Sequence, residues 1–234
     1  MNKRFIVGTL FPKLRIVRRL AQYAELIEFV KVHPAPDFAD RASLYRFVCA
    51  TVAADGPLDL IELGVWRGAS LELWLDAHRH PAGRFFGLDT FEGLPEVWQH
   101  VIGSSPRGTF SADGQTPAPS DPRVAFRKGL IQDELPSLLR GETLGAKPLV
   151  VHFDADLYSA TLFALATLDT LLAPRVSSYV AVFDEFSSAN DEFRAFSDYT
   201  RAFLRRFRVL GRVGKSYDQA AIEVFFTPAD RAHM

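Results

Sequence analysis

Two aspartates lie where an apolar segment of the chain ends, and both have side chains that can do chemistry. The segment 148–154 predicts a buried strand that ends at Asp154, and Asp156 follows two residues later. Burying an unpaired carboxylate costs free energy, so these side chains must either reach water or lie beside a positive charge. A carboxylate in such a position can accept a proton from a substrate or bind a cation.

A second apolar segment ends in acids in the same way. The predicted strand 179–184 ends at Asp184, and Glu185 follows directly. The ends of adjacent parallel strands lie side by side at one edge of a sheet, so we expect Asp154, Asp184 and Glu185 to converge. Converging acids repel one another, and an all-oxygen cluster suits a hard cation such as Mg²⁺, which makes these three residues candidate metal ligands. The alternative is that Asp154 and Asp184 only fix loops or balance a positively charged ligand.

Asp156 has two interpretations. If Asp-Ala-Asp continues the extended strand, both carboxylates point the same way, so that one can hold a cation while the other accepts a proton. Asp156 is equally suited to cap a helix that begins near Tyr158. His152 lies inside the strand, and a core role is favoured for it because ligands bind at strand ends.

A glycine-containing turn follows the first strand of the predicted sheet, 58–64, in the stretch ELGVWRGAS. Gly64 and Gly68 let the backbone turn sharply and approach a ligand closely, and Ser70 is placed to cap the next helix. The next strand ends at Asp89, 25 residues after Gly64 (89 minus 64). That separation is close to the roughly 20 residues expected for an acid that binds ribose hydroxyls. The pattern predicts a nucleoside-containing cofactor, although a tight turn beside a surface aspartate would look the same.

The turn departs from the dinucleotide-binding pattern G-x-G-x-x-G. It has E-x-G-x-x-x-G instead, and Trp66 and Arg67 occupy the place where a pyrophosphate needs bare backbone. The sequence therefore argues against a nicotinamide-dependent dehydrogenase.

Strands and helices alternate along most of the chain, as in a parallel sheet with helices on both faces. The last two strands, within 207–226, are joined by a short turn and must pair antiparallel. We therefore predict an α/β fold with a Rossmann-like, seven-stranded, mostly parallel sheet, an antiparallel last strand and extra N-terminal helices. The other predicted strands are 58–64, 84–89, 123–129, 148–154 and 179–184, and the predicted helices are 14–30, 43–54, 69–79, 133–142, 159–173 and 192–206. We predict an N-terminal helical extension at 1–40 and a main domain at 41–234.

The composition argues against several classes of protein. The chain has 234 residues, of which 48% are hydrophobic, and a net charge of -1, so no global field favours nucleic acid. No apolar run approaches the roughly 20 residues that span a bilayer, and no signal peptide is recognised. Cys49 is the single cysteine and cannot form an internal disulfide. These features predict a cytoplasmic protein.

The sequence is compatible with more than one role for each of two segments. Residues 1–20 contain six basic residues and no acidic one, and this basic helix face is either solvated or touches a membrane or a partner. A loop rich in Gly, Pro and Ser at 93–122 is too long for a plain connector, so it is either a lid over a substrate or disordered. The N-terminal helices either cover the cleft or pair subunits, which leaves a homo-oligomer as one possibility.

Five stretches of the chain, taken in order, resemble a known family. IELGVWRGAS is followed by GLDTFEGLP, KGLIQDELP, HFDADLYSAT and VFDEFSSANDEFRAF, over roughly residues 40–226. They are similar to the class I methyltransferases that use S-adenosylmethionine (SAM), and more narrowly to the macrocin-type O-methyltransferases of macrolide and aminocoumarin tailoring. The resemblance implies a SAM-dependent O-methyltransferase that acts on a hydroxyl group of a small molecule, a sugar or natural-product-type acceptor.

The resemblance also implies roles for matching positions. The implied SAM-binding residues are Glu62, Gly64, Trp66, Gly68 and Ser70 around the methionine part, Asp89 and Thr90 at the ribose, and Leu130 and Ile131 at the adenine.

On the acidic side, the resemblance implies a divalent metal at Asp154, Asp184 and Glu185, which would orient a substrate hydroxyl and lower its pKa. Asp154 and Asp156 are the candidate catalytic residues. The family's usual pair is Asp-Asp, whereas this chain has Asp184-Glu185, so dependence on Mg²⁺ stays open. The departure also leaves an alternative function, a SAM-binding regulator or scaffold without catalysis.

Overall fold

The structure is a computed structural model, and it describes residues 11–100, 103–117 and 121–228. Within these ranges the helices are α1 Phe11–Val32, α2 Arg41–Ala53, α3 Ala69–Ala77, α4 Ile131–Gly141, α5 Tyr158–Leu172 and α6 Glu192–Ala202. The strands are β1 Asp37–Phe38, β2 Asp59–Leu63, β3 Arg84–Asp89, β4 Trp98–Gln99, β5 Ser104–Ser105, β6 Val124–Lys128, β7 Leu149–Phe153, β8 Ser178–Phe183, β9 Arg205–Val213 and β10 Gln219–Pro228.

Eight strands form one sheet in the order β6-β3-β2-β7-β8-β10-β9-β1. Strands β6, β3, β2, β7 and β8 pair in parallel, and β10 runs antiparallel to both β8 and β9. The predicted seven-stranded, mostly parallel sheet with an antiparallel last strand is therefore confirmed. The two-residue strand β1 was not predicted, and it extends the edge of the sheet by pairing in parallel with β9.

The strand order reverses direction at β2. From β2 the chain continues to β3 on one side of the sheet, whereas β7 lies on the other side. In sheets of this type ligands bind beyond the carboxyl ends of the strands at this switch point. The glycine turn that follows β2 and the acids that follow β7 therefore lie at the position where a ligand is expected.

Helices cover both faces of the sheet, as predicted. All five residues of β2 and all five of β7 are buried, because helices pack on either side of them. On one face Ile61 and Val151 belong to a core shared with α4, α5 and α6. On the other face Leu60 and Val150 belong to a core shared with α2 and α3.

Helix α1 packs on the first of these cores through one face. Leu26 is buried, and the ring of Phe29 lies 5.4 Å from that of Phe186 and 5.5 Å from that of Phe193. Apolar side chains on the rest of the helix are exposed to solvent, namely Val17, Leu20, Ile27 and Val32. The helix ends at Val32, directly before the segment HPAPD (33–37), which contains the two prolines. Residues 1–10 of the basic segment lie outside the described residues. None of the helices in the described ranges is both long and apolar enough to cross a membrane.

Helix α2 starts two residues earlier than predicted because Asp40 caps it. The Asp40 carboxylate accepts a hydrogen bond from the backbone N–H of Ser43 at 2.7 Å, and the Ser43 hydroxyl oxygen accepts one from the backbone N–H of Asp40 at 3.3 Å. This reciprocal arrangement is a capping box. It places Arg41 in the first turn of the helix.

Helix α6 ends four residues before the predicted limit, residue 206. The backbone at Leu204 is left-handed (φ +54°), and Arg205 begins β9. The Arg205 guanidinium makes a two-pronged ion pair with the buried carboxylate of Asp169, at 2.5 and 2.8 Å. Tertiary pairing of Arg205 thus overrides a sequence that is compatible with a longer helix.

Candidate active site

A cavity of about 280 Å³ opens at the carboxyl ends of β2, β3, β7 and β8. It brings together eleven of the thirteen predicted site residues: Gly64, Trp66, Ser70, Asp89, Thr90, Leu130, Ile131, Asp154, Asp156, Asp184 and Glu185. The other two, Glu62 and Gly68, do not line it. We call the part formed by Gly64–Ser70 and Asp89 the glycine-turn half, and the part formed by Asp154, Asp156, Asp184 and Glu185 the acid half.

Gly64 allows the two halves to meet. Its backbone is left-handed (φ +90°), and a Cβ atom at this position would lie 1.9 Å from the backbone oxygen of Asp154. Only glycine avoids that clash, so the turn after β2 can lie directly against the chain that follows β7.

Gly68, not Ser70, forms the start of helix α3. Gly68 occupies the N-cap position with φ +83°, and no described side chain caps the helix. Ser70 is the second residue of α3, where it is buried and lines the cavity. The prediction that Ser70 caps this helix is therefore wrong, because the N-cap is Gly68, two residues before Ser70.

Asp89 organises the glycine turn through its carboxylate. One oxygen accepts hydrogen bonds from the backbone N–H groups of Val65 and Trp66, both at 2.7 Å, and the other accepts one from Phe91, also at 2.7 Å. An ionised carboxylate offers about four acceptor positions, so roughly one remains for a ligand in the cavity. Thr90 lines the same wall, and its hydroxyl bonds the backbone of Gly93 at 3.1 Å.

Leu130 and Ile131 form an apolar wall at the start of helix α4. Leu130 is 39% exposed, which leaves an apolar surface that a flat ring can contact. The neighbouring Gly129 donates its backbone N–H to the carbonyl of Asp89 at 3.0 Å, which ties this wall to the end of β3.

The described part of the 93–122 loop is folded against the cavity. Phe110 lines the cavity, and its ring lies 5.7 Å from the Trp66 ring in an edge-to-face arrangement. The Trp66 indole N–H also donates to the backbone oxygen of Ser111 at 3.2 Å. Trp98 is buried in a small apolar cluster with Ala155 on the acid half. The loop is therefore anchored to both halves, while residues 101–102 and 118–120 lie outside the described part.

The acid half is assembled by the backbone ladder of the sheet. The Asp154 N–H donates to the carbonyl of Leu63 at 2.9 Å, and the Asp184 N–H donates to that of Phe153 at 3.0 Å. These bonds continue the β2–β7 and β7–β8 pairings by one residue each. They hold the two aspartates side by side, as the sequence predicted.

Crowding of the acids raises their pKa values. Burial, followed by the charge of Asp184, raises the pKa of Asp154 to about 7. Burial, followed by the charge of Asp154, raises the pKa of Asp156 to about 8. Burial and the charge of Asp184 also raise the pKa of Glu185. Asp154 and Asp156 therefore titrate near neutral pH, which suits a group that must take up a proton during a reaction.

Asp156 lines the cavity, but with a backbone conformation that differs from both predictions. Strand β7 ends at Phe153, and the backbone at Asp156 is left-handed (φ +60°), so Asp-Ala-Asp does not continue the extended strand. Helix α5 has Leu157 at its N-cap, and no described side chain caps it. Both the extended arrangement and the capping role predicted for Asp156 are therefore wrong, although its carboxylate does line the cavity.

The acid half faces a cation of the protein itself. Arg41, from the first turn of α2, lines the cavity, and its Nη1 atom lies 3.5 Å from Oδ1 of Asp184. That oxygen is buried and makes no hydrogen bond to any described residue.

Among the described residues, no three His, Cys, Asp or Glu side chains are grouped in a way that could hold a metal ion. Asp154, Asp184 and Glu185 carry the carboxylate oxygens that a magnesium ion prefers, and the guanidinium of Arg41 lies beside Asp184.

Glu62 lies behind the cavity in a fully buried network. Its Oε1 atom is 3.0 Å from Nδ1 of His152, and Nε2 of His152 is 3.0 Å from the hydroxyl of Tyr45 on α2. Burial alone would lower the pKa of His152, but the hydrogen bond and charge of Glu62, together with the charges of Asp154 and Asp184, outweigh burial and raise it. His152 is therefore a core residue, as predicted, and it links strand β2 to helix α2.

Sequence reasoning missed Arg41 and Tyr45. The Asp40-x-x-Ser43 capping pattern was a usable signal for where α2 begins. By contrast, nothing in the local sequence connects Arg41 to Asp184, which lies 143 positions further along the chain (184 minus 41).

Comparison with known proteins finds methyltransferases. The chain is 36% identical over 143 residues to 8-demethyl-8-(2,3-dimethoxy-alpha-L-rhamnosyl)-tetracenomycin-C 4'-O-methyltransferase of Streptomyces olivaceus, an alignment that covers 55% of this chain and 54% of that protein. It is 32% identical over 161 residues to demethyldecarbamoylnovobiocin O-methyltransferase of Streptomyces niveus, covering 61% and 60%. The chain thus spans little more than half the length of these curated relatives. No family model matches it.

Among solved structures, the calicheamicin methyltransferase CalS11 superposes with a TM-score of 0.53 at 20% sequence identity, covering 86% of this chain and 91% of that one. The chain therefore shares its Rossmann-like fold with that methyltransferase, as the resemblance implied.

Proposed function

We propose that this protein is a SAM-dependent O-methyltransferase that transfers a methyl group to a hydroxyl group of a small molecule. The observation that carries the proposal is the cavity at the switch point of the sheet. There a glycine turn held by Asp89 meets two carboxyl groups, Asp154 and Asp156, whose pKa values lie near neutrality. The similarity to two O-methyltransferases supports the same reaction.

The glycine-turn half has the features that SAM binding requires. Gly64 gives a close approach of two backbone segments, and Asp89 has an acceptor position left for a ribose hydroxyl. We assign the ribose to Asp89 and Thr90, the adenine to Leu130 and Ile131, and the methionine part to Gly64, Trp66 and Ser70. Gly68 acts by shaping the turn, and Glu62 supports it from beneath.

The acid half would act on the acceptor. SAM held by the glycine-turn half would supply a methyl group on a positively charged sulfur, and S-adenosylhomocysteine would be the leaving group. Asp154 or Asp156, as an ionised carboxylate, would accept the proton that the acceptor hydroxyl loses when its oxygen bonds to the methyl carbon. Aligning the two reactants can supply much of the rate enhancement in such a displacement.

The acceptor class follows from the relatives and from the loop. One relative is named for a rhamnosyl-tetracenomycin and the other for a novobiocin precursor. Phe110 lines the mouth of the cavity and offers an aromatic face for a sugar or polyketide ring. We therefore propose a glycosylated or aromatic natural-product acceptor, and a lid role for the 93–122 loop.

Transfer of label from methyl-labelled SAM to a panel of glycosylated polyketides and aminocoumarins tests this function. We expect label in an acceptor ether, at a rate that an Asp55→Asn protein retains, since Asp55 is an exposed turn residue outside the cavity lining. A protein that binds SAM but labels no member of the panel would favour the alternative, a SAM-binding regulator or scaffold.

A further inference from the structure

Arg41 is the only cationic side chain that lines the cavity within the described part of the chain. It shares the cavity with five carboxyl groups: Asp89, Asp154, Asp156, Asp184 and Glu185. Like charges crowded in a partly buried space repel, and a cation among them lowers that cost. Among the described residues that line the cavity, Arg41 is therefore the candidate counter-charge of the acid half.

The fold fixes the position of Arg41 from two sides. The capping box of Asp40 and Ser43 sets the start of α2, which makes Arg41 the first residue of the helix. Tyr45, one turn later on the same helix, stacks on Trp74 with ring centroids 3.8 Å apart and bonds His152 at 3.0 Å. Because Tyr45 is buried and held by these contacts, the first turn of α2 holds Arg41 at the edge of the acid half.

The contact between Arg41 and Asp184 points into the place where a metal was expected. Nη1 of Arg41 lies 3.5 Å from Oδ1 of Asp184, and no described residue makes a hydrogen bond to that buried oxygen. The Arg41 side chain is 40% exposed, so it approaches Asp184 from the open side of the cavity. A divalent ion bound to the same oxygen would lie beside a permanently charged guanidinium, which opposes its binding.

We propose that Arg41 supplies the positive charge of the acid half in place of a divalent metal ion, and that it positions Asp184 through their ion pair. This inference deepens the proposed function, since it concerns the same cavity. Its consequence is that the protein has no high-affinity divalent metal site at Asp184 while Arg41 is present. Removing the guanidinium charge should raise the affinity of Asp154, Asp184 and Glu185 for a divalent ion, because these carboxyl groups then remain without a cation beside them.

Titration with Mn²⁺, followed by electron paramagnetic resonance of the free ion, tests the inference without an acceptor. The proteins compared are wild type, Asp184→Asn, Arg41→Gln and Arg41→Gln/Asp184→Asn, each with and without S-adenosylhomocysteine. Arg46→Gln is the matched control, since Arg46 is an exposed arginine of the same helix that does not line the cavity. Thermal unfolding of each protein shows that it is folded at the titration temperature.

We expect wild type to bind Mn²⁺ no more tightly than Asp184→Asn. Arg41→Gln should bind it at least about tenfold more tightly than wild type, and the double variant should lose that gain. Wild-type binding that is tighter than in Asp184→Asn would overturn the inference, and so would equal affinity of wild type and Arg41→Gln. The charge role also predicts that Arg41→Lys, which keeps the positive charge, resembles wild type in Mn²⁺ affinity.

The two proposals fail in distinguishable ways. Failure of wild type to bind S-adenosylhomocysteine would contradict the proposed function, whereas the Mn²⁺ comparison in its absence would still report on Arg41. Normal S-adenosylhomocysteine binding together with tight, Asp184-dependent Mn²⁺ binding in wild type would leave the function standing and overturn the role of Arg41.

Discussion

The glycine-turn half and the acid half share one cavity but are stabilised in opposite ways. In the glycine-turn half, the Asp89 carboxylate accepts three backbone N–H groups at 2.7 Å. In the acid half, Oδ1 of Asp184 is buried without a hydrogen bond from any described residue, and burial and mutual repulsion raise the pKa values of Asp154 and Asp156. Backbone N–H groups satisfy the carboxylate of the glycine-turn half, whereas the crowded carboxyl groups of the acid half face the guanidinium of Arg41 at 3.5 Å from Asp184.

This difference separates binding from chemistry. A turn whose polar groups are already paired keeps its shape before a ligand arrives, so it suits recognition of a fixed cofactor. Carboxyl groups that titrate near neutral pH are costly to the fold, and strongly perturbed groups of this kind cluster at sites that do chemistry. The comparison therefore predicts that mutations in the two halves have different signatures.

The largest effect is expected where the halves touch. Gly64→Ala forces a Cβ to within 1.9 Å of the Asp154 carbonyl at a residue with φ +90°, so we expect a loss of about 3 kcal/mol or more in the free energy of unfolding. Gly108→Ala is the control, because Gly108 has φ +85° but no described atom lies within 4 Å of the added Cβ. It should cost only about 1 kcal/mol. Urea unfolding measures both, and equal losses would contradict the close contact between the halves.

Kinetics of single acid-to-amide variants should then separate the halves. Asp154→Asn removes a proton acceptor, so we expect kcat to fall about 100-fold or more with little change in KM for SAM. Asp89→Asn leaves the acid half intact but weakens the ribose contact and the turn, so KM for SAM should rise about tenfold with a smaller change in kcat. Steady-state rates at varied SAM concentration measure both. The reverse pattern would show that the halves have been assigned the wrong way round.

The smallest effect concerns pH and stability. The pKa values of Asp154 (about 7) and Asp156 (about 8) in the folded protein exceed the unfolded value of about 3.9. Between about pH 4 and 8 the folded protein therefore binds more protons than the unfolded chain, and its free energy of unfolding falls as pH rises.

An Asp154→Asn/Asp156→Asn protein lacks these two titrations. We expect wild type to lose stability relative to this double variant by about 1 kcal/mol or more as pH rises from 5 to 8. Urea unfolding at both pH values measures the difference. A difference that is constant with pH would mean that these carboxyl groups are not crowded in solution.

The parts of the fold that could be predicted are those specified by local sequence. Strands β2 and β7 could be predicted from their mostly apolar sequences, because both faces of each strand are buried. Asp89 could be predicted as a ribose ligand because it ends a strand and follows Gly64 at a separation typical of such an acid. The parts that could not be predicted depend on contacts between distant segments. Arg41 meets Asp184 only after the sheet is assembled, and the end of α6 depends on the attraction of Arg205 to Asp169.

The two predicted helix caps in the site, Ser70 and Asp156, were wrong for the same reason. The Ser70 and Asp156 caps were predicted from residue type, but the helices begin with backbone N-caps at Gly68 and Leu157 instead. Left-handed residues at Gly68 and Asp156 redirect the chain just before each helix. Residue type alone indicates which side chain can cap a helix, whereas the local backbone path decides which residue lies at the helix start.

Calorimetric titration with S-adenosylhomocysteine tests the central claim most directly, since it needs no acceptor. We predict binding in the micromolar range by wild type, at least about tenfold weaker binding by Asp89→Asn, and no change for Asp55→Asn. We also predict the same affinity in EDTA as in Mg²⁺. Absence of binding by folded wild-type protein in either buffer would contradict the account, and would leave the glycine turn as a structural feature without a cofactor.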